Sequence, residues 1–163
     1  ARHLFSGAVQ GMQTKVKVRE QKILLVDDLE YNRQLLRNNL TALFSKEKLR
    51  YRAFSYFQAH NASTALLTFS QQLPELVFLD IELPDGSGLE LLKRFKELKP
   101  ECFVVMVSGV STLENVKTSI ASGAASFIVK PFTGDKILAV LKQFDRYYNK
   151  LPKVIEEPLI QKP

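Results

Sequence analysis

Four short apolar runs, each closing on a residue that carries chemistry, constrain this chain more than anything else in it. Ile23-Leu24-Leu25-Val26 closes on Asp27 and Asp28, and Leu76-Val77-Phe78-Leu79 closes on Asp80. Phe103-Val104-Val105-Met106-Val107 closes on Ser108, and Phe127-Ile128-Val129 closes on Lys130. Short apolar runs separated by stretches of helical periodicity predict buried parallel strands. In an open parallel α/β sheet, chemistry collects outside the carboxyl ends of the strands. Three carboxylates, a hydroxyl and an amine are therefore expected at one edge, a combination suited to accepting a phosphoryl group beside a divalent cation.

From Lys22 the pattern alternates strand and helix five times, which predicts a doubly wound, five-stranded parallel α/β sheet with right-handed crossovers. The first helix is expected over about Leu29 to Ser45, with Leu36, Leu40, Leu43 and Phe44 on one face. A second strand is expected near Tyr51–Phe57. The second helix should start at the cap Asn61 and end by Gln72, ahead of Pro74. Leu83-Pro84-Asp85-Gly86-Ser87-Gly88 is a turn-rich loop, and the helix after it carries Leu89, Leu92, Phe95 and Lys96 before Pro100. Cys102–Val107 is expected as the fourth strand. Ser111-Thr112-Leu113-Glu114 reads as a capping box opening the fourth helix, which Gly123 closes. The last helix places Ile137, Leu141, Phe144 and Tyr148 on one face.

Residues 21–149 are thus read as one domain. Residues 1–20 are read as an N-terminal extension or linker; Leu4, Phe5, Ala8, Val9 and Met12 have helical spacing, which Gly7 and Gly11 weaken. The missing initial Met suggests a fragment or a processed chain. Residues 150–163, with Pro152, Pro158 and Pro163, are read as a tail or linker.

The single cysteine, Cys102, lies inside an apolar run and is expected as a small buried hydrophobe. No apolar stretch reaches the ~20 residues that span a bilayer, and no signal peptide opens the chain. The expectation is a cytoplasmic protein without a membrane partner. The formal net charge is +6, but the lysines are scattered over helix faces and tails. Nucleic-acid binding needs a stripe or patch of basic residues, so no direct nucleic-acid partner is expected.

The segments Lys22-Ile-Leu-Leu-Val-Asp-Asp28, Asp80-Ile-Glu-Leu-Pro-Asp-Gly86, Val107-Ser-Gly109 and Phe127-Ile-Val-Lys-Pro-Phe132, in this order, resemble the receiver (CheY-like) domain of two-component response regulators, a flavodoxin-like (βα)5 family. The likeness covers about residues 21–149. It implies strand order 2-1-3-4-5 and Asp80 as the phosphoacceptor, supplied by a sensor histidine kinase, a histidine phosphotransfer protein or a small-molecule donor. It implies Mg2+, with Mn2+ as a possible substitute. Asp28 and Asp80 would be direct ligands, Asp27 would act mainly through a coordinated water, and Glu82 would offer its backbone carbonyl. Ser108 and Lys130 would engage phosphoryl oxygens, with Ser108 and Phe127 forming the switch. The Lys130–Pro131 bond would be cis. Output would be a protein–protein contact, including phosphorylation-dependent homodimerisation, through the fourth helix, fifth strand and fifth helix. On this reading the chain is a signalling phosphoacceptor that catalyses only its own phosphorylation and dephosphorylation.

The residues are consistent with that role on their own terms. Clustered carboxylates repel one another unless compensated. Magnesium takes oxygen ligands while keeping waters, and phosphoryl transfer needs positioning and charge neutralisation above all. Three features depart from the common pattern. The interval from Asp28 to Asp80 is longer than usual, with the excess expected around Lys46–Phe57. Glu82 places an acid two residues beyond the acceptor, where the family tunes phosphoryl lifetime. Phe127 lacks the hydroxyl of a tyrosine switch, leaving a packing-driven rotamer change. Two alternatives remain. One is an aspartate-nucleophile phosphatase with Glu82 in the place of the general acid, and the other is a pseudo-receiver that works without phosphorylation. A nucleotide-binding fold fits poorly, because no Gly-rich phosphate loop follows the first strand.

Overall fold

The expected apolar runs become the strands of a single parallel sheet. They are β1 (Gln21–Val26), β2 (Phe54–Ala59), β3 (Leu76–Asp80), β4 (Phe103–Ser108) and β5 (Ser126–Val129). The computed structural model describes residues 15–17, 21–46, 54–110, 112–150 and 154–156. Helices α1 (Glu30–Lys46), α2 (Ala62–Gln72), α3 (Gly88–Leu98), α4 (Leu113–Ala121) and α5 (Gly134–Lys150) fill the connections. The sheet order is 2-1-3-4-5, with every neighbouring pair parallel. The chain leaves β1 for β2 on one side and returns to β3 on the other. This reversal opens a crevice beyond the carboxyl ends of β1 and β3, the usual ligand position in such sheets.

Side chains alternate across the pleat, so each central strand feeds two cores. Ile23, Leu25, Phe78, Val105 and Val107 face one side, where they meet Leu36 and Leu40 of α1 and Ile137, Leu141 and Phe144 of α5. Leu24, Val77, Leu79, Val104 and Met106 face the other, against Phe69 of α2 and Leu92 and Phe95 of α3. All five residues of β3 are buried, which explains why its sequence lacks alternation. Cys102 is buried in the second core as expected, and burial pushes its thiol up to about 11.

Local signals set the helix starts. Asn61 caps α2: its side chain accepts the Thr64 N–H at 2.8 Å, and the Thr64 hydroxyl returns toward the Asn61 N–H. Ser87 caps α3 by accepting the Leu89 N–H at 3.1 Å. At α4 the capping residue is Thr112, whose hydroxyl accepts the Asn115 N–H at 3.1 Å. This corrects the expected Ser111–Glu114 box by one position; Ser111 lies outside the described residues. Both registers offer a hydroxyl three residues ahead of a backbone N–H, so sequence alone did not separate them. Gly123 follows α4 with φ +105°, a conformation that suits a residue without Cβ.

β2 also differs from expectation. It spans Phe54–Ala59, two residues past the expected end at Phe57, and is in register with Gln21 to Val26. It is an edge strand whose first five residues are only partly buried, so its apolar signal is weak. The expected start at 51–53, the extra length at 47–53, the helical spacing in 4–12 and the prolines of the tail lie outside the described residues. The Lys130–Pro131 bond is cis, as expected. Residues outside 20–148 group as a separate unit. In it Lys15–Lys17 pairs antiparallel with Val154–Glu156, a ladder the sequence reading did not foresee. Among the described residues no helix is long and apolar enough to cross a membrane.

Candidate functional site

The carboxyl ends of β1, β3, β4 and β5 bring the predicted residues together. Asp80 is the last residue of β3 and Ser108 the last of β4, whereas Asp27 and Lys130 follow β1 and β5 directly. The Lys130 ammonium sits between two carboxylates, 2.8 Å from Asp80 Oδ2 and 2.9 Å from Asp27 Oδ2. Asp80 Oδ1 accepts the Glu82 N–H at 3.0 Å. Asp27 Oδ1 accepts the Leu29 N–H at 2.9 Å, and the Asn32 amide donates to both Asp27 oxygens at 3.3 and 3.2 Å. Arg33 donates to the Asp27 carbonyl and, at 2.9 Å, to Gln58 Oε1, tying the end of β1 to α1 and β2. Ser108 is fully buried; its hydroxyl donates to Glu82 Oε1 at 2.7 Å and accepts the Val110 N–H at 3.0 Å.

The loop after Asp80 is held closely. Glu82–Leu83 pairs antiparallel with Gly86–Ser87. Asp85 accepts the Ala62 and Ser63 N–H groups at 2.6 and 3.1 Å, so this loop also satisfies the start of α2. Gly88 donates to the Ile81 carbonyl at 2.8 Å. A Cβ there would stand 2.1 Å from the Asp80 carbonyl oxygen.

These contacts divide the charges unequally. Burial pushes the Asp80 carboxyl up to about 7; Lys130 opposes the shift, while Glu82 and the charge of Asp27 add to it. Burial also works against ionised Asp27, but Lys130, the Leu29 N–H and Asn32 outweigh it and hold this carboxyl below its ordinary value. Glu82 is likewise lowered, burial being overcome by the Ser108 hydroxyl, Asp80, its own backbone and Lys130. Lys130 is raised, because Asp80 and Asp27 outweigh its own desolvation. One ammonium thus faces a surplus of negative charge, and a proton on Asp80 relieves it.

A divalent cation would relieve the surplus equally well. Asp27, Asp28 and Asp80 each offer a carboxylate oxygen, all within 4.8 Å of one another. These are hard oxygen donors, and Asp28 is exposed, leaving one side of the group open to water-bearing ions. The donor set fits magnesium. Phe127 is half-buried against the second core and stands opposite Met106 in the β4–β5 ladder.

Sequence reasoning missed Asn32 and Arg33, whose signal is their place in the first turns of a helix directly after a strand-end Asp. It also missed the contact of the Glu82 side chain with Ser108, that acid having been singled out only for its place two residues beyond the acceptor, and the close approach at Gly88, which lay within a recognised turn cluster.

A sequence model of the family described as "Response regulator receiver domain" matches residues 23–142. The chain is 33% identical over 124 residues to sporulation initiation phosphotransferase F of Bacillus subtilis, covering 76% of this chain and 93% of that one. It is 29% identical over 122 residues to the chemotaxis protein CheY of the same organism, covering 75% and 95%. Among solved structures, a CheY-like receiver domain protein from Methanospirillum hungatei superposes with TM-score 0.66 at 28% identity, covering 81% of this chain and 99% of that one.

Proposed function

The chain belongs to the response regulator receiver family of two-component systems, and from that premise we propose that residues 21–149 are a phosphorylation-controlled switch acting in the cytoplasm. Asp80 is the phosphoacceptor. A histidine phosphate on a sensor kinase or phosphotransfer protein, or a small-molecule donor, supplies the group. An Asp80 oxygen attacks phosphorus and the imidazole leaves. The observation that carries this reading is the bridge of Lys130 between Asp80 Oδ2 and Asp27 Oδ2, at 2.8 and 2.9 Å, at the edge of a parallel sheet.

Each side chain then has a task. Lys130 is already in contact with the acceptor and follows the negative charge onto the transferred group. The Glu82 N–H fixes one Asp80 oxygen and thereby orients the other. Asp27, Asp28, Asp80 and the Glu82 carbonyl would hold Mg2+, or Mn2+ in its place, which supplies charge neutralisation for the carboxylates and the phosphoryl oxygens. Ser108 offers its hydroxyl to a phosphoryl oxygen, a hydrogen bond strengthened by the charge of its acceptor. Withdrawal of Ser108 toward the group leaves room for Phe127 to turn inward. The output is self-association or binding of another protein at the surface of α4, β5 and α5, where Leu113 and Ile120 of α4 are exposed, with Val110 exposed in the loop that leads into it. The alternative of a phosphatase with Glu82 as general acid is disfavoured, because Glu82 is held ionised and its carboxylate is engaged by Ser108.

The test is intact mass after incubation with acetyl phosphate and Mg2+. The wild-type chain should gain one phosphoryl group and Asp80→Asn none. Phosphorylation of the Asn variant at the wild-type rate would remove Asp80 from its role.

A further inference from the structure

We propose that Glu82 is an off-state latch: its carboxylate holds the single proton of the Ser108 hydroxyl and must surrender it before Ser108 can bind a phosphoryl oxygen on Asp80. The proposal rests on the reading of Asp80 as the acceptor. Its basis is the way one residue contacts both halves of the switch. The Glu82 N–H donates to Asp80 Oδ1 at 3.0 Å, and Glu82 Oε1 accepts from Ser108 Oγ at 2.7 Å. The short ladder from Glu82–Leu83 to Gly86–Ser87 holds the backbone that makes both contacts.

A serine hydroxyl has one proton to donate. With Glu82 in place, that proton is committed, and the oxygen is also occupied as acceptor of the Val110 N–H at 3.0 Å. With Glu82 in place Ser108 is fully buried. A phosphoryl group on Asp80 competes for the same proton and carries charge of the same sign as Glu82. Its arrival therefore requires the Glu82 carboxylate to swing away, and Glu82 is exposed, so solvent can receive it. The free state is favoured by the hydrogen bond that is lost, and the phosphorylated state is correspondingly harder to populate. Glu82 is in this sense a positioning residue that sets the affinity of the site for a phosphoryl group through Ser108.

The experiment is a double-mutant cycle read by binding of beryllofluoride, a phosphoryl mimic, in the presence of Mg2+ and followed by 19F NMR. Glu82→Ala should tighten binding about tenfold, the low end for removal of a hydrogen bond to a charged acceptor. In the Ser108→Ala background the same substitution should gain at most about a third of that factor, because only charge repulsion remains to be relieved. Glu82→Gln, which keeps an acceptor but loses the charge, should fall between wild type and Glu82→Ala. Equal gains from Glu82→Ala in the wild-type and Ser108→Ala backgrounds would overturn the latch while leaving Asp80 as acceptor. Failure of beryllofluoride to bind the wild-type chain at all would overturn both. The Val110 amide resonance gives a second, ligand-free readout that does not need the Ser108 variant. It should shift in Glu82→Ala, and an unmoved resonance would count against the latch.

Discussion

Gly88→Ala should be among the most damaging methyl additions available to this fold. The added Cβ would lie 2.1 Å from the Asp80 carbonyl oxygen, 2.8 Å from Ile81 Cα and 2.9 Å from the Asp80 carbonyl carbon. All three are backbone atoms, so no side chain can rotate aside. Relief needs a displacement of about 1 Å between the start of α3 and the end of β3, given ordinary van der Waals separations of 3.5–4 Å between carbon atoms. Overpacking of this kind costs about 3 kcal/mol. The same displacement breaks the 2.8 Å bond from the Gly88 N–H to the Ile81 carbonyl, at about 1 kcal/mol. Against this stands the preference of helices for alanine over glycine, about 1 kcal/mol. The net expectation is a loss of about 3 kcal/mol, or a fall in Tm of about 10 °C for a domain of this size. Gly134 provides the control within the same molecule. It opens α5, and a Cβ there meets nothing within 4 Å. Gly134→Ala should therefore be neutral or stabilising by up to about 1 kcal/mol. Urea unfolding of both variants decides the matter. A Gly88→Ala midpoint equal to wild type, or a Gly134→Ala loss as large as that of Gly88→Ala, would refute the reasoning.

Other outcomes follow from the charge cluster. Asp80 has a folded pKa of about 7, above its ordinary 3.8. A raised carboxyl favours the fold while it is protonated, so its contribution is present below about pH 4 and is lost as pH rises through 7. In metal-free protein, thermal melts of wild type should therefore decline over that window relative to Asp80→Asn, and parallel curves would contradict the shift. Asp27 is shifted the opposite way, so its contribution should be present above its unfolded pKa and fade on acidification below about pH 4, a fall that Asp27→Asn melts should lack. Asp28→Ala should weaken Mg2+ binding at least tenfold in calorimetry while leaving the melting curve nearly unchanged, since Asp28 is exposed. Lys130→Ala should bind Mg2+ more tightly than wild type, because a competing positive charge is gone, yet accept the phosphoryl group more slowly; weaker metal binding would count against the role given to the bridge.

The parts of the fold that were readable in the sequence are those where burial dictates composition. β1, β3 and β4 are enclosed on both faces, so their apolar runs announced them and fixed Asp27, Asp80 and Ser108 at the ends. The end of β2 was set two residues short, at Phe57 instead of Ala59, because an edge strand needs no continuous apolar run. The α4 cap slipped by one residue because Ser111 and Thr112 offer the same hydroxyl. The Glu82–Ser108 contact joins the end of β4 to the short ladder after Asp80, and its existence depends on how far a flexible side chain reaches, which no spacing encodes. Gly88 was visible as a turn residue, but the carbonyl that forbids a side chain there comes from the preceding strand and is set only by packing. The ladder between Lys15–Lys17 and Val154–Glu156 joins opposite ends of the sequence, and nothing in either three-residue stretch points to its partner.

The wide sequence separation of the bridged charges also bears on the kinetics of the fold. Lys130 lies 50 residues beyond Asp80, and Asp80 is as distant again from Asp27. No local segment contains two members of the bridge, so it forms only after three non-adjacent stretches have paired in register, and such long loops close late. The repulsion among the carboxylates is accordingly absent from early folding and is felt once the sheet is nearly complete. An ion bound there would act after the rate-limiting step. Magnesium is then expected to leave the refolding limb of a chevron almost unmoved and to slow unfolding, so that metal lengthens the life of the native state without hastening its formation.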